Sequence, residues 1–151
     1  MSIEDRLADL GIDLPPVATP VAAYVPAIQV GDQISTSGQL PLVSGSLPMT
    51  GLVGDQISQG DAAGQARVAA LNALAAAADV AGGVNNIRRV VRVVVYVAST
   101  ADFTAQPAVA NGASELFGEI FGDAGRHIRS AIGVASLPLG APVKVELTVQ
   151  V

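Results

Sequence analysis

The stretch 143–151 alternates so strictly that only a sheet with two differently dressed faces accommodates it. Val143, Val145, Leu147, Val149 and Val151 fall on one side of an extended chain, and Lys144, Glu146, Thr148 and Gln150 on the other. Residues 87–98 are β-branched and read as a buried central strand. There Ile87, Val91, Val93, Val95 and Val97 share a side, with Arg88, Val90, Arg92, Val94 and Tyr96 opposite. This second face is neither polar nor apolar, whereas a solvated face would be more uniformly polar. The pattern predicts an oligomer interface carrying charge pairs, Arg92 with Glu146 among them. A partly apolar exposed sheet is the alternative.

The other elements follow from punctuation. Ser2 and Asp5 form a capping box for a short helix with Ile3, Leu7 and Leu10 on one stripe, stopped by Gly11. Pro15-Pro16 then forces extended chain. Strands are expected over 22–30, broken by Pro26, and over 33–40, joined at Gly31-Asp32. Gly38 inside the second implies a close approach by backbone or ligand. Ser58 opens an Ala-rich helix that Gly82-Gly83 closes, with Val68, Leu71, Leu74 or Ala75, and Ala78 as its buried stripe. Pro107 opens another, burying Val109, Ala113, Leu116, Phe117 and Ile120 and ending at Gly122. Strands at 128–135 and 143–151 complete a β-β-α-β-α-β-β order. The expectation is an α+β fold, a mixed sheet with two helices on one face. It forms a single domain over 1–151, with a helical and extended lead-in over 1–20 and a core over 21–151.

Composition narrows the chemistry. The chain is 50% hydrophobic but only 3% aromatic. A core of small side chains needs close backbone packing and buries less apolar surface per residue, which oligomerisation offsets. The net charge of −5, with eight Lys and Arg, argues against nucleic acid as a partner. No Cys and a single His exclude thiol chemistry, disulfides and a His-based metal cluster within one chain. Neither a metal nor a cofactor is expected. No signal-peptide pattern or membrane-length apolar run is present, so a cytoplasmic location away from membranes is expected.

Two residues stand out for chemistry. Arg129 lies on the strand 128–135 with His127, Ala131 and Gly133 on its side, and the small neighbours leave room around a fork that suits a carboxylate. The competing reading, which composition alone favours, is an ion pair to Glu146 or Glu115. His127, two residues away, could serve as a general acid or base, or simply hydrogen-bond a neighbouring loop. Tyr24, Ser37, Asn111 and Glu115 are ordinary polar residues when taken singly. No phosphate-binding glycine loop is present.

In order and spacing, the chain resembles the RidA (YjgF) family over roughly residues 20–151. The motifs are Tyr24-Val25-Pro26-Ala27, Ser37-Gly38-Gln39-Leu40-Pro41, Val109-Ala110-Asn111-Gly112-Ala113-Ser114-Glu115-Leu116-Phe117, His127-Ile128-Arg129-Ser130-Ala131, Val134-Ala135-Ser136-Leu137-Pro138 and Val143-Lys144-Val145-Glu146. The N-terminal helix and Gly125-Arg126-His127 look like a distinct subgroup. The resemblance implies a chorismate-mutase-like fold and a homotrimer whose sheets form a barrel, with sites in clefts between subunits. It implies hydrolysis of enamine or imine intermediates to 2-keto acids and ammonia, without a cofactor. It gives Arg129 the substrate carboxylate, lines the cleft with Tyr24, Ser37, Gly38 and Asn111, and orients the attacking water on the Ala131 carbonyl. The family's water-activating Glu has a different counterpart here. Counted from Leu137-Pro138, its position holds Lys144, with Glu146 the next carboxylate on that face. Lys144 is a poor base while protonated. His127 is a substitute for that role. Three readings follow: a deaminase of 2-imino acids, a trimeric sensor of small carboxylates, and an endoribonuclease, ranked last because of the acidic charge.

Overall fold

The strands expected near 87–98 and 143–151 pair along almost their whole length and form the middle of the sheet. A computed structural model describes residues 1–20 and 22–151, so the boundary expected at residue 21 falls on a residue outside the described ones. The elements run α1 (Ile3–Asp9), β1 (Ala27–Val30), β2 (Gln33–Thr36), α2 (Gln59–Ala81), β3 (Arg89–Ala98), α3 (Gln106–Phe121), β4 (Ile128–Val134) and β5 (Val143–Gln150). The five strands are ordered β1-β2-β5-β3-β4. Only β3 and β4 are parallel, and the crossover between them is α3, so the sheet is mixed. Helices α2 and α3 cover one face, as expected. The third helix, α1, lies outside that layer. Its Ser2–Asp5 capping box forms, and Arg6 Nε donates to the Glu119 carbonyl at 2.8 Å.

Several expectations shift by a residue or more. The first strand begins only after Pro26 and the second stops at Thr36: the Ser37 N–H still donates to the Pro26 carbonyl at 2.7 Å, but proline has no N–H to return the bond. Pairing with β5 resumes at Gln39 opposite Val145, one residue out of register with Ser35 opposite Thr148. In β3 a bulge falls between Val90 and Arg92. Val90 therefore joins the core and Val91 moves to the flank, reversing the faces expected for those two.

The buried stripe of α2 is different in part: Leu74, Ala75 and Ala78 are buried as expected. Ala62, Ala66, Ala69, Ala70, Ala73, Leu74 and Ala77 are fully buried, while Val68 and Leu71 are only half-buried. The reason is the approach of α3. A methyl built on Gly112 would overlap the Ala63 carbonyl, so the two helix backbones touch there. Side chains larger than alanine are displaced to the sides of such a contact.

The far face of the sheet carries no helix. Register places Ile28, Val30, Ser35, Thr148, Glu146, Lys144, Arg92, Val94, Tyr96, Ile128 and Ile132 on it. Ile28, Val30, Ile128 and Ile132 are 58%, 72%, 61% and 44% exposed. The Arg92–Glu146 pair does not form. Glu146 lies opposite Val94, and its Oε1 accepts from the Tyr96 hydroxyl at 3.2 Å. Burial, then the Glu146 charge, hold the Tyr96 hydroxyl protonated above its ordinary range. Among the described residues no helix is long and apolar enough to cross a membrane.

Gly112→Ala should lower stability by about 1–3 kcal/mol, the usual cost of overfilling a packed contact. Gly64→Ala, where an added methyl meets nothing within 4 Å, should be neutral or stabilising by up to about 1 kcal/mol. Urea unfolding of both variants checks this. A Gly112→Ala protein as stable as the parent would contradict the contact.

Candidate functional site

At one edge of the sheet, β4 runs beside α3, and three side chains meet between them. Arg129 pairs in register with the buried Val93, so its side chain leaves on the helix face. Asn111 and Ser114, three apart on α3, project from one side of that helix toward it. Arg129 Nη1 donates to Asn111 Oδ1 at 2.8 Å and to Ser114 Oγ at 3.1 Å. His127 completes the set. Its Nδ1 lies 2.6 Å from the Gly125 carbonyl and its Nε2 2.9 Å from Ser114 Oγ.

The donors and acceptors fix the direction of each bond in the neutral state. A carbonyl only accepts, so His127 Nδ1 carries the proton and Nε2 accepts the Ser114 hydroxyl. That hydroxyl in turn accepts from Arg129. Phe117 meets the imidazole edge to face, with centroids 6.1 Å apart. The chain Gly125–His127–Ser114 therefore holds Nη1 of Arg129 in place. Its Nε and Nη2 have no partner among the described residues, and neither Glu146 nor Glu115 pairs with it. Nε and Nη2 together form the edge of a guanidinium that grips a carboxylate through two parallel bonds. A cleft of about 420 Å³ opens here, lined by Ser114, Gly118, Gly122, Gly125, His127 and Arg129 among others.

His127 thus has both ring nitrogens engaged, and no lone pair is left for a substrate proton. It orients Ser114. Ser114 is the residue that sequence reasoning passed over, although its spacing from Asn111 was the available signal. Ala131 sits two residues beyond Arg129 on the same edge strand.

Tyr24, Ser37 and Gly38 are elsewhere. They adjoin β1 and β2, and β2 is three strand positions from β4, roughly 14 Å across the sheet. Ser37 Oγ donates to the Val25 carbonyl at 2.6 Å, tying the segment that carries the 47%-exposed Tyr24. Between the pairs Ser35–Thr148 and Gln39–Val145, the segment Ser37-Gly38 lies opposite Glu146. One chain therefore carries two separate groups of these residues: Arg129, Asn111, Ser114 and His127 at the β4 edge, and Tyr24, Ser37, Gly38, Lys144 and Glu146 around β2 and the middle strand β5. Among the described residues no group of three His, Asp or Glu side chains is placed to hold a metal.

Comparison with known proteins agrees in fold and order. Residues 4–151 match the family described as YjgF/chorismate mutase-like, putative endoribonuclease. Protein TCP17 of Trypanosoma cruzi is 40% identical over 146 residues, 96% of this chain and 91% of that protein. A putative endoribonuclease from Shewanella oneidensis superimposes with a TM-score of 0.96 at 32% identity, covering 100% of both chains. The YjgF gene product of Escherichia coli gives 0.63 at 27% identity, over 91% of this chain and 93% of that one.

Nitrogen-resolved NMR above the usual histidine titration range should show His127 as one tautomer, protonated on Nδ1. Ser114→Ala should leave Nδ1 protonated on the Gly125 carbonyl, free Nε2, and cost about 1 kcal/mol of stability. A native imidazole protonated on Nε2 would contradict the bonding described.

Proposed function

The chain belongs to the YjgF/chorismate mutase-like family, and from that premise we propose that it hydrolyses small 2-imino acids to 2-oxo acids and ammonia in clefts between the subunits of a homotrimer. The observation that carries this reading is Arg129: its guanidinium is held through Nη1, its Nε–Nη2 edge is open, and no carboxylate among the described residues answers it. A ligand carboxylate fits that edge.

The division of the site supports the oligomer. Within one chain Tyr24, Ser37 and Gly38 stand three strands from Arg129, and Glu146 lies on the opposite face of the sheet. A second copy presenting its β1–β2 edge to the β4 edge of the first completes a single cleft. The apolar belt of Ile28, Val30, Ile128 and Ile132 supplies the surface such an assembly would bury.

The chemistry asks little of the protein. A protonated imine carbon is already electrophilic. Water adds to it, the C–N bond breaks, and C=NH2+ plus H2O becomes C=O plus NH4+. Arg129 fixes the carboxylate next to that carbon, and the Ala131 carbonyl and Glu146 are the acceptors proposed to orient water and take its proton. Glu146, held by the Tyr96 hydroxyl and standing opposite Ser37 and Gly38, takes this role in preference to Lys144 and to the fully bonded His127. The engagement of His127 also favours a second reading, a carboxylate sensor without turnover, because the Arg129 half-site alone offers no free base. RNA cleavage is not proposed, since a chain of net charge −5 attracts a phosphate backbone poorly.

With 2-aminoacrylate generated in situ, the native protein should speed pyruvate release, and Arg129→Ala should lower kcat/KM by about 100-fold. No acceleration by the native protein sinks the deaminase reading. Arg129→Ala and Glu146→Gln, each inactive alone, should regain activity when unfolded and refolded together, with about a quarter of the clefts intact. Failure to complement, or a light-scattering mass of one chain, overturns the shared cleft.

A further inference from the structure

Lys144 is the only lysine of the chain, and nothing above gives it a task. Its stem lies across the backbone at Gly38. A methyl added there would overlap Lys144 Cε and come within 2.9 Å of Cγ. Gly38 is thus the close approach that the sequence implies, and what approaches is a lysine side chain. On the other side Lys144 pairs in register with Tyr96, which in turn pairs with Ile132. The stem is confined between a backbone and an aromatic residue, and the position is half-buried. Its ammonium nevertheless has no hydrogen-bond or ion-pair partner among the described residues. Glu146, the carboxylate two residues along the same face, is taken by Tyr96 instead. A confined ammonium without an anion is a position made for one supplied from outside.

We propose that Lys144 binds a second carboxylate, which makes the cleft selective for dicarboxylic 2-imino acids of the chain length of those from aspartate or glutamate. This rests on the reading that Arg129 holds the carboxylate next to the imine carbon in a cleft completed by a neighbouring copy. Arg129 and Lys144 belong to opposite half-sites. A ligand anchored on the first extends its far end toward the wall that carries the second. Monocarboxylic imines would leave the Lys144 ammonium unanswered.

Calorimetry with 2-oxobutyrate and 2-oxoglutarate tests this without requiring turnover. The native protein should bind 2-oxoglutarate at least about tenfold more tightly, the worth of one charge-assisted hydrogen bond. Lys144→Gln should abolish that ratio, Lys144→Arg should restore most of it, and Arg129→Ala should weaken both ligands. Thermal melts of each variant separate lost binding from lost folding. Equal binding of the two oxo acids by the native protein overturns the inference, as does a preference that survives in Lys144→Gln or no binding of either ligand. The binding preference without hydrolysis of either 2-aminoacrylate or the imine of 2-oxoglutarate would sink the deaminase reading and leave the Lys144 selectivity standing. Hydrolysis without the preference would do the reverse.

Discussion

The contact between α2 and α3 governs the rest of the molecule. Where Gly112 meets the Ala63 carbonyl, the two helices approach backbone to backbone. That spacing is possible because α2 presents alanines almost throughout its buried length. It sets how α3 lies against the sheet, and therefore where Asn111 and Ser114 reach. Those two residues hold Nη1 of Arg129 at 2.8 and 3.1 Å. A core of larger side chains would separate the helices and carry α3 away from β4. The low aromatic content is thus a condition for the geometry of the arginine as well as for folding.

Burial and charge then separate cleanly across the sheet. One face is closed by helices and is almost wholly apolar. The other collects Arg92, Lys144, Glu146 and Tyr96 between exposed isoleucines and valines. Polar groups that share a half-covered face tend to find partners within it, and Tyr96 with Glu146 does so. Lys144 does not, and neither, on the helix-covered face, does the open edge of Arg129. Cations left unanswered on the middle strand and at the β4 edge, in a chain of net charge −5, make local positive sites on an acidic surface. Small anions rather than polyanions suit such sites.

Much of the fold was legible because period and punctuation agreed. The alternation in β5, the proline before α3 and the glycines closing both long helices are local signals with local causes. The failures were non-local. The bulge at Val91 comes from the pairing of β3 with β5, and nothing in the run of valines marks it. The stripe of α2 was misread because size was used as a guide to burial. There the partner helix approaches so closely that a row of alanines is buried while Val68 and Leu71 are turned aside. For the site, the sequence offered Arg129, His127 and Asn111, which the fold does bring together. It could not show that Tyr24, Ser37 and Gly38 belong to the other edge, because strand order is not written in strand composition. The Ser114 link was missed for a plainer reason: its spacing from Asn111 marks a shared helix face without telling what that face meets.

The register slip between β2 and β5 settles which residue of the last strand addresses Ser37 and Gly38. Counting along the chain from Leu137-Pro138 puts Lys144 where a carboxylate would be expected. Pairing across the sheet gives a different answer. The extra residue between Ser35 and Gln39 brings Glu146 opposite Ser37-Gly38, while Lys144 runs over Gly38 with its ammonium free. That group of residues consequently holds a carboxylate fixed by Tyr96 and a cation beside it.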